Sequence, residues 1–229
     1  EPGVTDTNGF TRQNWWAPVG EECKMLRENA GIIDISNFAK YRVKGPGAEA
    51  WLNALFANRM PRAVGRSCLT PLISVRGGIA GDATVTRVAE DEFWVISSGM
   101  AERYHSRFFQ MVPLPEGTVF ESLTDSHCGF NVAGPRSREL LQRLTNDSLS
   151  NEDFPFMRSK VIELAGIGCL ALRVSFTGDL GWELHCAAED QETLYRALLE
   201  AGEAVGAGPV GGRALMSLRV EKGYGSWSR

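Results

Sequence analysis

A stretch between positions 69 and 96, in which apolar residues either alternate with polar ones or follow one another, constrains the fold of this chain more than any other feature. A period of two is typical of β-strands, because successive side chains point to opposite faces of a sheet. The stretch divides into strands at 69–75, 84–88 and 93–96, separated by the turn signals Arg76-Gly77-Gly78 and Glu90-Asp91. Strands joined by short turns pair with antiparallel neighbours, so the segment predicts a three-stranded meander.

The rest of the chain mixes helices and strands without regular alternation. Helical spacing of apolar residues predicts helices after Pro18, around Trp51, near 101–111, around Leu140 and at 192–205. Further strands are predicted at 119–123, 130–133, 160–164, 169–176 and 182–186. Because a doubly wound parallel sheet needs strict strand–helix–strand order, the fold class is predicted to be α+β, with largely antiparallel sheets and packed helices.

Two segments are expected along the chain. Residues 1–18 are polar and aperiodic, and they are expected to be an extended leader from a preceding domain that docks through Trp15 and Trp16. Residues 19–229 are expected to form one domain, since this length suits a single large α+β unit or two intimately packed halves. Both ends are expected to be cut ends, because the chain starts without methionine and stops directly after a helical pattern.

Charge and cysteine usage exclude several classes of protein. The net charge is −4, and no run of lysine and arginine forms a basic patch, so nucleic acid is not an expected partner. No stretch approaches the roughly 18 to 20 apolar residues of a membrane-spanning helix, so no membrane partner is expected. The five cysteines show no CxxC spacing and are interpreted as reduced thiols, which suits the cytoplasm, or the mitochondrial matrix in a eukaryote.

Neither a nucleotide-binding motif nor a metal site is predicted. Residues 206–211 match GxGxxG, but they follow a predicted helix and include Pro209, whereas the dinucleotide motif follows a strand and opens a helix. The segment is interpreted as a glycine-rich connection. The three histidines lack metal-ligand spacing, so no metal is expected.

Two carboxylates are candidates for chemistry. Asp82 follows a glycine-rich turn that would let backbone approach a ligand closely, although an aspartate capping the turn is the more common arrangement. Glu183 alternates with Trp182 and Leu184 along a predicted strand, and by pattern alone it is the solvent-facing residue. Residue pattern by itself leaves both alternatives open.

Six blocks of sequence give the chain a family resemblance from Asn14 to its end. The blocks are Asn14–Gly20, Gly31–Ser36, Leu55–Asn58, Val132–Pro135, Ser175–Leu184 and Ser217–Tyr224. The chain resembles the folate-binding region shared by aminomethyltransferase, the T protein of the glycine cleavage system, and the C-terminal half of dimethylglycine and sarcosine dehydrogenases. The match is closer to the dehydrogenase branch.

The resemblance implies a cavity for tetrahydrofolate. Glu183 matches the family glutamate that holds the pterin, whose 2-amino and N3–H groups are adjacent donors for one carboxylate. Asp82 matches the second acid of the family's GGIxDD block, beside the reacting folate nitrogens, where it is the expected catalytic group. Tyr224 matches a tyrosine lining the cavity, and Trp182 stands in the same block as Glu183.

Three positions depart from the family pattern. Gly81 replaces the first acid of the DD pair, Phe176 replaces the tyrosine of YTG, and Leu215 replaces an arginine of the T protein. Phe176 is still expected to line the folate site. Arg213 is the expected cation for the anionic tail of folate, with Arg219 as the alternative.

By resemblance, the chain is expected to join tetrahydrofolate to an iminium or formaldehyde equivalent and form 5,10-methylenetetrahydrofolate. That equivalent would come from an N-methyl amine oxidised by a flavin oxidoreductase domain before Glu1, so FAD is expected only there. The family's small C-terminal β-barrel is expected after Arg229. The alternatives are a stand-alone aminomethyltransferase or folate-dependent demethylase, and a non-catalytic folate-binding or scaffold module.

Overall fold

The computed structural model describes residues 5–7 and 9–225, so both predicted cut ends lie outside the described residues. Helices form at Trp16–Glu28 (α1), Ala48–Leu55 (α2), Glu102–Phe109 (α3), Ser137–Gln142 (α4), Gln191–Glu203 (α5) and Gly212–Glu221 (α6). Strands form at Gly31–Asp34 (β1), Ala39–Lys44 (β2), Arg66–Ile73 (β3), Ile79–Ala89 (β4), Glu92–Ser97 (β5), Val119–Ser122 (β6), His127–Ala133 (β7), Ser159–Leu164 (β8), Ile167–Leu172 (β9), Gly181–Ala187 (β10) and Gly208–Pro209 (β11).

The strands form two sheets. The six-stranded sheet has the order β11-β1-β7-β10-β9-β8, and the five-stranded sheet has the order β3-β4-β5-β2-β6. Every pairing is antiparallel except the short contact between β1 and β11. The predicted α+β class with largely antiparallel sheets is confirmed, and β3, β4 and β5 form the predicted meander.

Each sheet is covered by helices on one face. The core of the six-stranded sheet lies against α4 and α5 and includes Phe130, Trp182 and Leu198. The core of the five-stranded sheet lies against α2 and α3 and includes Trp51 and Phe109. The alternation of apolar residues along each strand places these side chains on one face, which leaves the other face of each sheet for the second sheet.

The uncovered faces of the two sheets meet through aromatic rings. The Trp94 ring on β5 lies 5.1 Å from the His127 ring and 6.2 Å from the His185 ring, both on the six-stranded sheet. Helices α1 and α6 pack together beside β1, where Leu26, Leu215 and Leu218 are buried in a third cluster. The two sheets and this helix pair enclose the space that forms the candidate site.

Three local expectations differ from the structure. Helix α1 begins at Trp16 and not after Pro18, because a proline in the first helical turn loses no intrahelical hydrogen bond. The strand predicted at 169–176 ends at Leu172, since the Val174 N–H donates to the Leu172 carbonyl and turns the chain out of the ladder. The predicted glycine-rich connection contains the two-residue strand β11.

Two further findings bear on the predicted class of protein. No helix within the described residues is long and apolar enough to cross a membrane. All five cysteines are free, and Cys128, Cys169 and Cys186 are buried.

Candidate functional site

A cleft of about 1280 Å³ lies between the two sheets and the pair α1 and α6. Its walls are mostly apolar and include Trp15, Ile33, Ile96 and Leu215. The charged residues among its described lining are Asp34, Asp82, Glu183, Glu221 and Arg213. An apolar cavity with a few convergent polar groups is the usual form of a small-molecule site.

Asp82 reaches the cleft from the five-stranded sheet. It lies on β4 opposite Pro71 of β3, just after the register shift at Leu72 and Ile73 that interrupts the pairing of the two strands. The side chain is half-buried, and burial raises the pKa of this carboxyl above its usual value. A raised pKa moves an aspartate closer to the range of an effective general base.

Gly81 points to the opposite face of β4, towards α3. A Cβ atom on this residue would lie 2.3 Å from Nε2 of His105, which is fully buried. His105 Nδ1 lies 3.2 Å from the Ser97 hydroxyl, so the ring is fixed in this position. His105 therefore occupies the space next to Gly81, the position of the first acid of the family's DD pair. Sequence reasoning did not detect this contact.

Glu183 reaches the cleft from the six-stranded sheet. It lies on β10 between Asn131 of β7 and Leu172 of β9, and it is 8% exposed. The solvent-facing alternative for this residue is wrong, because the second sheet covers the face to which its side chain points. His185, two residues along the same strand and also buried, places Nε2 3.7 Å from Glu183 Oε2.

Trp182 does not line the cleft. It lies in the core under the helices and is fully buried, with its ring 6.2 Å from that of Phe154. The expected contact of Trp182 with a ligand is therefore corrected to a packing role. The physical reason is the alternation along β10, which sends Trp182 and Leu184 to one face and Glu183 and His185 to the other.

Phe176 and Tyr224 form a stacked pair at the edge of the cleft. Their ring centroids are 6.5 Å apart with an interplanar angle of 21°, and only Phe176 is among the cleft-lining residues. Tyr224 is 44% exposed and supports Phe176 from behind. Arg219 donates to the Tyr224 carbonyl at 2.6 Å and lies over the Phe176 ring, so the alternative folate-tail cation is already engaged.

Arg213 lines the cleft from the first turn of α6. Both terminal nitrogens of its guanidinium donate to the carboxylate of Asp6, and its Cζ atom lies 4.7 Å from the centroid of the Trp15 ring. The ion pair raises the pKa of Arg213 and lowers that of Asp6. The expected docking of the N-terminal segment through Trp15 and Trp16 thus brings both rings to the cleft, together with an ion pair that the sequence did not reveal.

Two cations, the partly buried Arg27 and the fully buried Lys40, hold the frame of the cleft. Arg27 of α1 contacts the carboxylates of Asp179 and Glu221, which ties α1 to the turn after Phe176 and to α6. Lys40 is fully buried, and its Nζ donates to the carbonyls of Ser36 and Phe38, each at 2.9 Å. Burial lowers the pKa of Lys40.

Neither a metal site within the described residues nor a free N–H at Gly211 supports the alternatives weighed from the sequence. No group of three or more His, Cys, Asp or Glu side chains within residues 5–7 and 9–225 could hold a metal ion. The N–H of Gly211, at the start of α6, donates to Oε2 of Glu22 at 2.8 Å. This donor of the GxGxxG segment is therefore occupied by a carboxylate of the chain itself.

Comparisons of this chain with known proteins agree on one family. The model of the GCVT N-terminal domain matches residues 3–229. Mitochondrial dimethylglycine dehydrogenase from Mus musculus is 36% identical over 220 residues, which cover 95% of this chain and 25% of that protein. Aminomethyltransferase from Anoxybacillus flavithermus is 30% identical over 218 residues, which cover 94% of this chain and 59% of that protein.

A solved structure shows the same fold. Glycine cleavage system aminomethyltransferase T from Bartonella henselae superposes with a TM-score of 0.80 at 22% identity, covering 97% of this chain and 60% of that one. The chain thus spans about a quarter of the length of the dimethylglycine dehydrogenase and about three fifths of the two aminomethyltransferases.

Proposed function

The chain belongs to the GCVT N-terminal domain family, and we propose that its cleft binds tetrahydrofolate and joins it to a one-carbon unit, giving 5,10-methylenetetrahydrofolate. It is an aminomethyltransferase-like domain related to dimethylglycine and sarcosine dehydrogenases. The observation that carries the proposal is the placement of Glu183 and Asp82, from different sheets, on one largely apolar cleft.

Glu183 is the proposed anchor for the pterin ring. A carboxylate that is 8% exposed loses most of its hydration, so it gains from a ligand with two adjacent N–H donors. The 2-amino and N3–H groups of a pterin supply such a pair. Phe176, stacked on Tyr224, offers an aromatic surface at the edge of the same cleft.

Asp82 is the proposed proton acceptor. When a folate N–H nitrogen attacks an iminium carbon, a new C–N bond forms and the nitrogen must lose its proton. Over the whole reaction, the two folate nitrogens lose two protons: one leaves on the released amine and the other goes to solvent. A half-buried carboxylate with a raised pKa suits the transient uptake of such a proton, and its negative charge stabilises the cationic iminium.

The one-carbon unit is proposed to come from a domain outside this chain. We propose that a flavin oxidoreductase domain carrying FAD oxidises an N-methyl amine and delivers the iminium or a formaldehyde equivalent. Relatives of this chain include dehydrogenases that act on dimethylglycine and sarcosine, as their names state. The cytoplasm, or the mitochondrial matrix in a eukaryote, remains the proposed compartment.

Calorimetric titration with tetrahydrofolate tests the binding step. Wild type should bind saturably, and Glu183→Gln should bind about 10- to 100-fold more weakly, because hydrogen bonds to a charged group contribute about 1.5–3 kcal/mol. Glu163→Gln is the matched control, since Glu163 is exposed on β8 of the same sheet. Absence of binding in wild type would leave the scaffold alternative, and binding without methylene transfer would leave the non-catalytic folate module.

A further inference from the structure

The charges of the cleft are unbalanced. Four carboxylates line it, and Arg213 is the sole cation among its described lining residues. Of the carboxylates, Glu221 is paired with Arg27 and Glu183 lies near His185. A ligand with a negatively charged tail therefore depends on Arg213 for attraction, since the other charged lining residues repel it.

Arg213 stands between the cleft and a second, smaller cavity. This side cavity, of about 280 Å³, lies between the N-terminal segment, α1 and the start of α6, and Asp6, Trp15, Glu22 and Arg213 line it. Both terminal nitrogens of Arg213 donate to Asp6, and the Trp15 ring lies on the guanidinium. The guanidinium of Arg213 is thus already paired with the Asp6 carboxylate. The two groups meet in the same two-point geometry that the carboxylate of a ligand would use.

The N-terminal segment presents Asp6 through its own hydrogen bonds. The Thr7 N–H donates to Asn14 Oδ1 at 3.2 Å, and Asn14 Nδ2 donates to the Thr5 carbonyl at 3.0 Å. These bonds hold Asp6 beside the first turn of α6. The side chains of Arg213 and Asp6 are 49% and 50% exposed, so their ion pair is weak enough to exchange.

We propose that Asp6 is an internal placeholder for the carboxylate tail of the ligand. In the free protein Asp6 binds Arg213, and on ligand entry a tail carboxylate replaces it on the same guanidinium. Because the exchange replaces one carboxylate by another, it leaves no charge buried without a partner. The only cost to ligand binding is the free energy of the Asp6–Arg213 ion pair. This inference rests on the proposed function for the identity of the tail.

The test compares three probes in calorimetric titrations at low ionic strength. They are tetrahydrofolate, a tetrahydropterin without a tail, and p-aminobenzoylglutamate, which is the tail alone. Asp6→Asn should bind tetrahydrofolate and the free tail about two- to fivefold more tightly than wild type, the range expected for an exposed ion pair, and should bind the tailless pterin unchanged. Arg213→Gln should weaken both tailed probes and abolish the effect of Asp6→Asn.

Glu21→Gln is the control for net charge. Glu21 is exposed on α1 and forms no ion pair among the described residues, so its removal changes the charge of the chain equally without freeing Arg213. Equal effects of Asp6→Asn and Glu21→Gln, or equal tightening of the tailless pterin, would overturn the placeholder. If wild type fails to bind the tailless pterin while Asp6→Asn still tightens the free tail, the proposed function fails and the placeholder stands.

Discussion

The imidazole of His105 blocks any side chain at position 81, because a Cβ on Gly81 would lie 2.3 Å from His105 Nε2. The ring cannot easily move aside, since it is fully buried, contacts Ser97 and packs near Phe109. Because Gly81 also faces away from the cleft, towards α3, the β4 segment supplies one acid to the cleft and not two. Any general-base chemistry assigned to this block has to come from Asp82.

Gly81→Ala is expected to lower the free energy of unfolding by about 1–3 kcal/mol, the cost of overpacking a core. Chemical denaturation measures it. Gly168→Ala on β9 is the matched control, because an added Cβ there meets no atom within 4 Å. Combining Gly81→Ala with His105→Ala should cost less than the sum of the two single losses. Strict additivity would show that the His105 ring is not what excludes a side chain at position 81.

Asp82→Asn is expected to separate stability from activity. Burial raises the pKa of Asp82 in the folded state, so the folded chain binds more protons than the unfolded chain between the two pKa values, and wild-type stability falls as pH rises through that window. The asparagine variant has no titrating group at this position, so its stability does not fall in that window. It should therefore be at least as stable as wild type at neutral pH, and the difference should vanish below about pH 4, the usual range of an aspartate.

The same variant should retain tetrahydrofolate affinity while methylene transfer slows by about 10²- to 10⁴-fold, the usual contribution of a positioned base. The wild-type rate should rise with pH through the raised pKa of Asp82, and the variant should lose that dependence. Thermal unfolding across a pH series, alongside the transfer assay, checks both parts. A variant that is less stable than wild type at neutral pH would contradict the assignment of burial as the cause.

Trp182→Phe is expected to destabilise the fold without changing ligand affinity. The indole is fully buried under the helices, so a smaller ring leaves a cavity, and truncation to alanine should cost about 3–5 kcal/mol. Denaturation gives the loss of stability, and titration with tetrahydrofolate under folding conditions gives the affinity. Glu183→Gln, one residue along β10, should show the opposite pattern. A selective loss of affinity in Trp182→Phe would restore it to the ligand site.

Much of the fold follows from local sequence pattern. The alternation between 69 and 96 predicted strands β3, β4 and β5, and helical spacing predicted helix α5, because period and turn chemistry depend on near neighbours along the chain. The boundaries were less secure. The end of β9 at Leu172 depends on a backbone bond from Val174 that no local pattern reveals.

The site was predicted through family resemblance more than through residue pattern. Pattern alone treated Glu183 as solvent-facing, because alternation tells which residues share a face but not what covers it. The second sheet, which meets the first at Trp94 and His185, makes that face an interior wall. For Trp182 the prediction failed in the other direction. It was expected at the ligand site, but a residue next to Glu183 in a strand lies on the opposite face of the sheet.

By itself the sequence determined the class of fold, the alternation on each strand and the residue types available for chemistry. The tertiary structure alone decided which of these residues meet. Asp6 contacts Arg213 across 207 positions of the chain, and His105 fills the space beside Gly81 from a different element. Such contacts depend on the packing of whole sheets and helices, and the free energy of that packing is not encoded in any short window of residues.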